Sequence, residues 1–238
     1  MRRRALRRTL ALVGIGFALT MGVLAFLLVR VPASYQRMVV PEGQDRRKLS
    51  GEFLSSVSDL QDSFQNRGDP TWQETFTADQ MNSYFEEDFL RARPFKLPNG
   101  VHSPRVSIEP ACFRIAFRYG RGFWSSVLTL DLNCWLVARE PNTVAVEVLG
   151  LYAGSFPISV QSWLEDIAES AREKNIDVTW YRHNGHPVAL LKFEADKEHP
   201  SVVLQRLELQ DGKLIVAGRS SDASPLRAML PPIDAVGH

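Results

Sequence analysis

Three consecutive carboxylates, Glu86, Glu87 and Asp88 in the run YFEEDF, form the densest group of acid–base side chains in the chain. Paired carboxylates do general acid and base work when their surroundings push their pKa values apart. On a helix, however, successive side chains turn by about 100° each, so three in a row fan over a wide arc. They read as a solvated helix face. His183 and His186 flank Asn184-Gly185 and face each other across that turn. Two imidazoles fall short of the three or four ligands that zinc takes, and His199 and His238 are the remaining candidates downstream. The sequence therefore assigns no metal and no cofactor. YAGSFP lacks the second glycine of a Gly-x-Ser-x-Gly elbow, and there is neither a phosphate-binding loop nor a dinucleotide fingerprint. No catalytic residue is assigned.

With nothing catalytic to place, the charge distribution becomes the stronger guide. Residues 1–48 hold ten Lys/Arg against two acids, while 49–238 hold 18 basic and 25 acidic residues, a net of −7. An acidic domain is a poor nucleic-acid surface, because binding there requires clustered cations that replace counterions. The basic residues serve the N-terminus instead. Five arginines in MRRRALRR (1–8) precede residues 9–29, in which no side chain is charged. Twenty-one helical residues rise about 31 Å, the thickness of a bilayer core. This predicts an uncleaved, single-pass (bitopic) transmembrane helix, since a cleavable signal has a shorter apolar core. By the positive-inside rule the N-terminus is cytoplasmic and the C-terminal domain lies outside the cytoplasmic membrane.

Past the anchor, residues 30–48 read as a juxtamembrane linker, residues 49–222 as an extracytoplasmic α+β domain, and residues 223–238 as a Pro-rich, disordered tail. Leu49, Phe53, Val57, Leu60 and Phe64 recur at helical spacing. The helix stops at NRGDP, whose Arg-Gly-Asp reads as turn chemistry. In FTADQM, Thr77 and Gln80 make a capping box, with Phe76 and Met81 as a hydrophobic staple. A later helix, FPISVQSWLEDIAESAREKN, turns Val160, Trp163, Leu164, Ile167 and Ala171 inward.

Strands fill the rest, and turns fix their registers. Gly120-Arg121 predicts a two-residue hairpin setting Phe117 opposite Trp124, Ile115 opposite Ser126 and Phe113 opposite Leu128. Asn184-Gly185 pairs Val178 and Trp180 with Leu191 and Ala189; Asp211-Gly212 pairs Leu207 and Leu209 with Val216 and Leu214. The stretch Gly122–Glu140 reads as one strand of about fourteen extended residues, over 45 Å at about 3.3 Å each. So long a strand coils, which predicts a long, curved antiparallel β-sheet packed on two or three amphipathic helices. Phe113, Ile115, Phe117, Trp124 and Leu128 share its apolar face. Leu130, Leu132 and Val146 continue it, with Trp163 facing it from the helix. Cys134 belongs to this face and Cys112 to the opposite one, so the two thiols are not expected to form a disulfide. Trp135 points outward.

The anchor, the FTADQMNSYF helix start, GLYAGSFPISVQSWLEDI and the closing LELQDGKLIVAG hairpin resemble the YpmS-like bacterial membrane-anchored proteins, a family of unknown function. More distantly they resemble the tubular lipid-binding superfamily of synaptotagmin-like and bactericidal-permeability-type (BPI-like) proteins. The resemblance covers residues 72–220 and excludes the helix at 49–66. It implies a coiled sheet wrapping a helix around a groove for acyl chains. The nine apolar residues from Phe113 to Trp163 named above are then the groove lining, and the membrane and a lipid or other apolar ligand are the partners; with no catalytic motif found, no enzymatic activity is expected, and a hydrolase without a sequence signature is the last of the readings. The alternative is a solid-cored interaction or scaffold subunit of a cell-envelope assembly, contacting envelope proteins through polar faces and Trp135.

Overall fold

Residues 16–17, 19–64, 71–89, 97, 99–122, 125–161, 164, 169, 178–192 and 202–220 are described by a computed structural model of the chain. Trp124, Trp163, the NRGDP turn, most of the helix after Gln161 and the 223–238 tail lie outside these residues.

The chain is α+β, with a large antiparallel sheet and few helices. Helix α1 (19–29) is followed by α2 (Ala33–Arg37) and α3 (Gln44–Phe64). Next come β1 (Thr71–Thr77), α4 (Ala78–Tyr84) and a π-helical turn at Phe85–Phe89. The strands that follow are β2 (Val101–Glu109), β3 (Cys112–Tyr119), β4 (Ser126–Leu136), β5 (Thr143–Ala153), β6 (Phe156–Pro157), β7 (Val178–His183), β8 (His186–Lys192), β9 (Val203–Gln210) and β10 (Lys213–Arg219). They form two sheets. The larger has the order β2-β3-β4-β5-β8-β7, with β6 on β5; the smaller is β1-β10-β9. Strand β1 is a departure from the sequence reading, which took Phe76 only as the residue before a helix cap.

The cap itself is as expected. Thr77 Oγ1 accepts from the Gln80 N–H at 3.1 Å while Gln80 Oε1 accepts from the Thr77 N–H at 2.9 Å. Phe76 and Met81 share a core cluster with Val106 and Ile108, packed against Phe53 and Leu60 of α3 and Leu209, Leu214 and Val216 of the small sheet. Two hairpins also have the expected registers, Val178↔Leu191 with Trp180↔Ala189, and Leu209↔Leu214 with Leu207↔Val216.

The first hairpin differs. Phe113 pairs with Leu132, Ile115 with Leu130 and Phe117 with Leu128, a slide of four residues from the two-residue turn. Gly120 is drawn away from a tight turn because its N–H donates to the Gly100 carbonyl at 3.0 Å. The connection therefore widens to residues 120–125, and β4 begins at Ser126, with 11 residues rather than about fourteen. An even slide preserves side-chain parity, so each residue stays on its expected face. In β5 a bulge between the Asp131↔Gly150 and Leu132↔Val148 pairs puts Val148 and Leu151 on the same face despite their odd spacing.

The segment read as a linker is folded. Tyr35 of α2 is 2% exposed and packs with Met38 against Ala116 and Val127, on the face of the large sheet away from Leu130. Helix α3 starts at Gln44, five residues before the expected boundary. Its early start brings Arg46 into the helix, within reach of Glu87.

Candidate functional site

The carboxylates at 86–88 are not a solvated face. Glu87 is 5% exposed and takes Arg46 of α3 at 2.6–2.7 Å through both Nη2 and Nε. Glu86 pairs with Arg105 of β2 at 3.2 Å, and Asp88 accepts from the buried Ser50 hydroxyl. The π-turn is what lets three adjacent acids reach two elements, by widening the helix locally. Each acid is spent on tertiary packing. Nothing in the local sequence announces this, because Arg46 and Arg105 lie 41 and 19 residues away.

The apolar face of the large sheet brings together Phe113, Ile115 and Phe117 on β3, Leu128, Leu130 and Leu132 on β4, and Val146 on β5. Two separate clusters cover parts of it. Phe113 and Ile115 lean on the cluster beneath α3, α4 and the small sheet. Leu130, Val148, Leu151 and Leu164 form the second, flanked by Leu132, Ile158, Val160 and Trp180. Leu164 donates its N–H to the Val160 carbonyl at 3.0 Å, as a helix starting near Gln161 requires. Of the seven described candidates only Leu130 is fully buried; the other six stay partly exposed. The Trp180 indole N–H, buried at the margin of this face, has no hydrogen-bond partner among the described residues. Sequence reasoning missed that atom. A Trp on an apolar strand face was the available signal, since buried indole N–H groups ordinarily find an acceptor.

Both cysteines are free and half-buried. Burial pushes the Cys134 thiol up to about 11, and burial followed by the Asp131 charge raises Cys112. Both are thus poor nucleophiles at neutral pH. On the opposite face Arg114 grips Asp131 bidentately at 2.7 and 2.9 Å. His183 and His186 do pair across their turn. His186 Nδ1 lies 3.0 Å from Glu147 Oε1, and the His183 ring lies tilted against Trp135, 57° between planes and 6.2 Å between centroids. Among the described residues no three His, Cys, Asp or Glu side chains converge for a metal.

The end of α1 is seated on the large sheet. Its last carbonyls need partners from outside the helix. Ser155 N–H donates to the Leu27 carbonyl at 3.0 Å, and the Ser126 hydroxyl donates to that of Leu28. Gly154 makes the approach possible. It has φ +59°, and a Cβ there would lie 2.7 Å from the Leu28 carbonyl oxygen and closer still to that of Leu27. Beyond this seat α1 is bare, with Phe17, Leu19, Met21, Val23 and Phe26 all strongly exposed. By length and composition the helical stretch Leu19–Arg37, which runs through α2 and has a mean hydropathy of 1.3, is long enough to cross a membrane.

No family model matches the chain, and no curated protein or solved structure matches it either.

Proposed function

We propose that this protein is a single-pass membrane protein whose folded domain is held against the bilayer outside the cytoplasm and binds a lipid or other apolar ligand non-catalytically. The ligand site is the apolar face of the large sheet between its two core clusters. The observation that carries this is the incomplete burial of Phe113, Ile115, Phe117, Leu128, Leu132 and Val146, one contiguous face that neighbouring elements cover only in part. The unpartnered Trp180 N–H beside it offers a single donor to a ligand's polar end. Anchoring rests on the bare apolar surface of α1, together with the arginines that precede it. The resemblance to the YpmS-like and tubular lipid-binding proteins fits this reading.

A second reading is favoured by the two clusters themselves. Leu130, Val148, Leu151 and Leu164 already touch one another, as a solid-cored interaction subunit requires. The two separate cleanly by experiment. The full chain is reconstituted into phospholipid nanodiscs, exposed to a fatty acid carrying a photoreactive diazirine, and mapped by peptide mass spectrometry. Adducts on β3–β5 peptides that unlabelled fatty acid competes away, and that Leu128→Arg abolishes, support the groove. Labelling confined to residues 9–29 rules the groove out and favours the interaction subunit.

A further inference from the structure

On the other face of the large sheet, where the chain leaves α1, lies a cavity of about 390 Å³ lined by Val31, Tyr35, Gln36, Ser103, Arg105 and Arg118. It exists because β2 breaks step. In a regular strand, residues 102 and 105 would point to opposite faces. Here β2 bulges between His102 and Arg105, with Ser103 at φ +51° and Pro104 supplying no N–H to the ladder. The bulge sets His102 opposite Arg118 and Arg105 opposite Ala116, so all three basic side chains share one face. Bulges commonly re-aim side chains beside functional sites.

The charges around the cavity do not cancel. Arg105 gives Nη2 to Glu86 and Nη1 to the Tyr35 carbonyl, each at 3.2 Å, and its guanidinium sits 4.4 Å over the Tyr35 ring. Its Nε–H is buried with no partner among the described residues. Arg118 has no carboxylate within ion-pair distance among the described residues. His102 is occupied by Ser103 Oγ and the Gly120 carbonyl. Two guanidiniums therefore face one carboxylate.

We infer that this cavity is a phosphate-type anion site set at the level of lipid headgroups. Guanidiniums are the preferred partners of phosphate oxygens. The position supplies the rest of the argument: Val31 in its wall is two residues past the end of α1, whose exit from the bilayer the reading above requires. The inference rests on that reading only for the source of the phosphate, a headgroup or a free anion, and not for the site itself. Tyr35 and Gln36 of α2 roof the cavity, so occupancy would also clamp the segment between anchor and domain.

The test uses the full chain in nanodiscs and reads thermal stability, since a ligand that binds only the folded state raises Tm. One arm compares phosphatidylcholine discs with discs containing phosphatidylglycerol, without free phosphate. The other adds inorganic phosphate to phosphatidylcholine discs, against chloride at equal ionic strength. At a hundredfold excess over Kd the gain is about 2.7 kcal/mol, or a Tm rise of about 5–11 °C for a chain of this size. Arg118→Gln removes the response and leaves the Arg105–Glu86 pair intact. Gln36→Glu, at an exposed position, tests the same cavity should Arg118→Gln fold poorly. A rise only with phosphatidylglycerol identifies a headgroup, and a rise only with phosphate identifies a free anion. No rise in either arm overturns the site, as does a rise that both variants retain. Carbonate extraction of native membranes separately tests the anchor, so a failed anchor and a failed site give different results.

Discussion

Removing Arg46 should damage the protein far more than an arginine beside a membrane anchor ordinarily would. Arg46→Met takes from the Glu87 carboxylate, whose side chain is 7% exposed, a two-point contact at 2.6–2.7 Å. Breaking one side of a buried pair costs about 3–5 kcal/mol, because the remaining buried charge loses its ionic partner. At about 2–4 °C per kcal/mol, Tm should fall by about 6–20 °C. The double variant Arg46→Met/Glu87→Gln supplies the sharper test. It strands a neutral amide instead of a charge, so it should be more stable than Arg46→Met alone. Calorimetry of the full chain in nanodiscs measures both. If Glu87 were solvated, as three adjacent acids on a helix suggest, Arg46→Met would cost less than about 0.5 kcal/mol and adding Glu87→Gln would change nothing. That result would falsify the role assigned to the pair.

Asn82→Ala leaves both the N–H and the carbonyl of Val106 without their 2.8 Å partners inside the core; at about 1–3 kcal/mol per stranded group it should cost about 2–6 kcal/mol, read from the same melts. Gly154→Ala forces a left-handed backbone on an L-residue, costing about 1–2 kcal/mol, and drives a methyl into the Leu27 and Leu28 carbonyls; a Leu28→Cys/Ser126→Cys cross-link that forms in the parent should be lost. Cys134 gives a pH signature. Its folded pKa of about 11 exceeds the ordinary 9.0, so the folded state holds its proton longer than the unfolded one. Stability is fully present below pH 9, falls as pH rises from 9 to 11, and levels off above. The loss amounts to about 2–3 kcal/mol, and a Cys134→Ala variant should lack that component of the alkaline decline.

Much of the fold was legible because side-chain parity survives errors of register. Phe113, Ile115 and Phe117 were placed on the right face even though their partners on β4 lie four residues from those expected. The Asn184-Gly185 and Asp211-Gly212 turns gave correct registers outright, since two-residue loops leave no freedom for the strands to slide. What misled the first hairpin was a hydrogen bond from Gly120 to Gly100, a contact that exists only once β2 is in place. The local pattern at FTADQM carried its own partners within four residues, and the structure matches it atom for atom.

The illegible parts share a different physics. Glu87 and Asn82 are polar residues whose roles are set by groups 41 and 24 positions away, and polar side chains carry no periodic signal of burial. Asn142 repeats the device of Asn82, pairing its side chain with the Val202 carbonyl and the Leu204 N–H where the two sheets meet. In each case an amide stands in for a missing strand, and a sequence shows only an asparagine. The bulge at Ser103 is the most consequential of these. Read as a plain strand, HSPR would send His102 and Arg105 to opposite faces, and no cavity with two guanidiniums would exist. A left-handed serine before a proline violates local preference, and such violations persist only where surrounding contacts hold them. Tyr35 supplies one such contact, donating its hydroxyl to the Ser103 carbonyl at 2.8 Å from α2, the helix that follows α1. The strain in β2 and the seating of α2 are thus one structural unit, and the cavity between them forms only when both are in place.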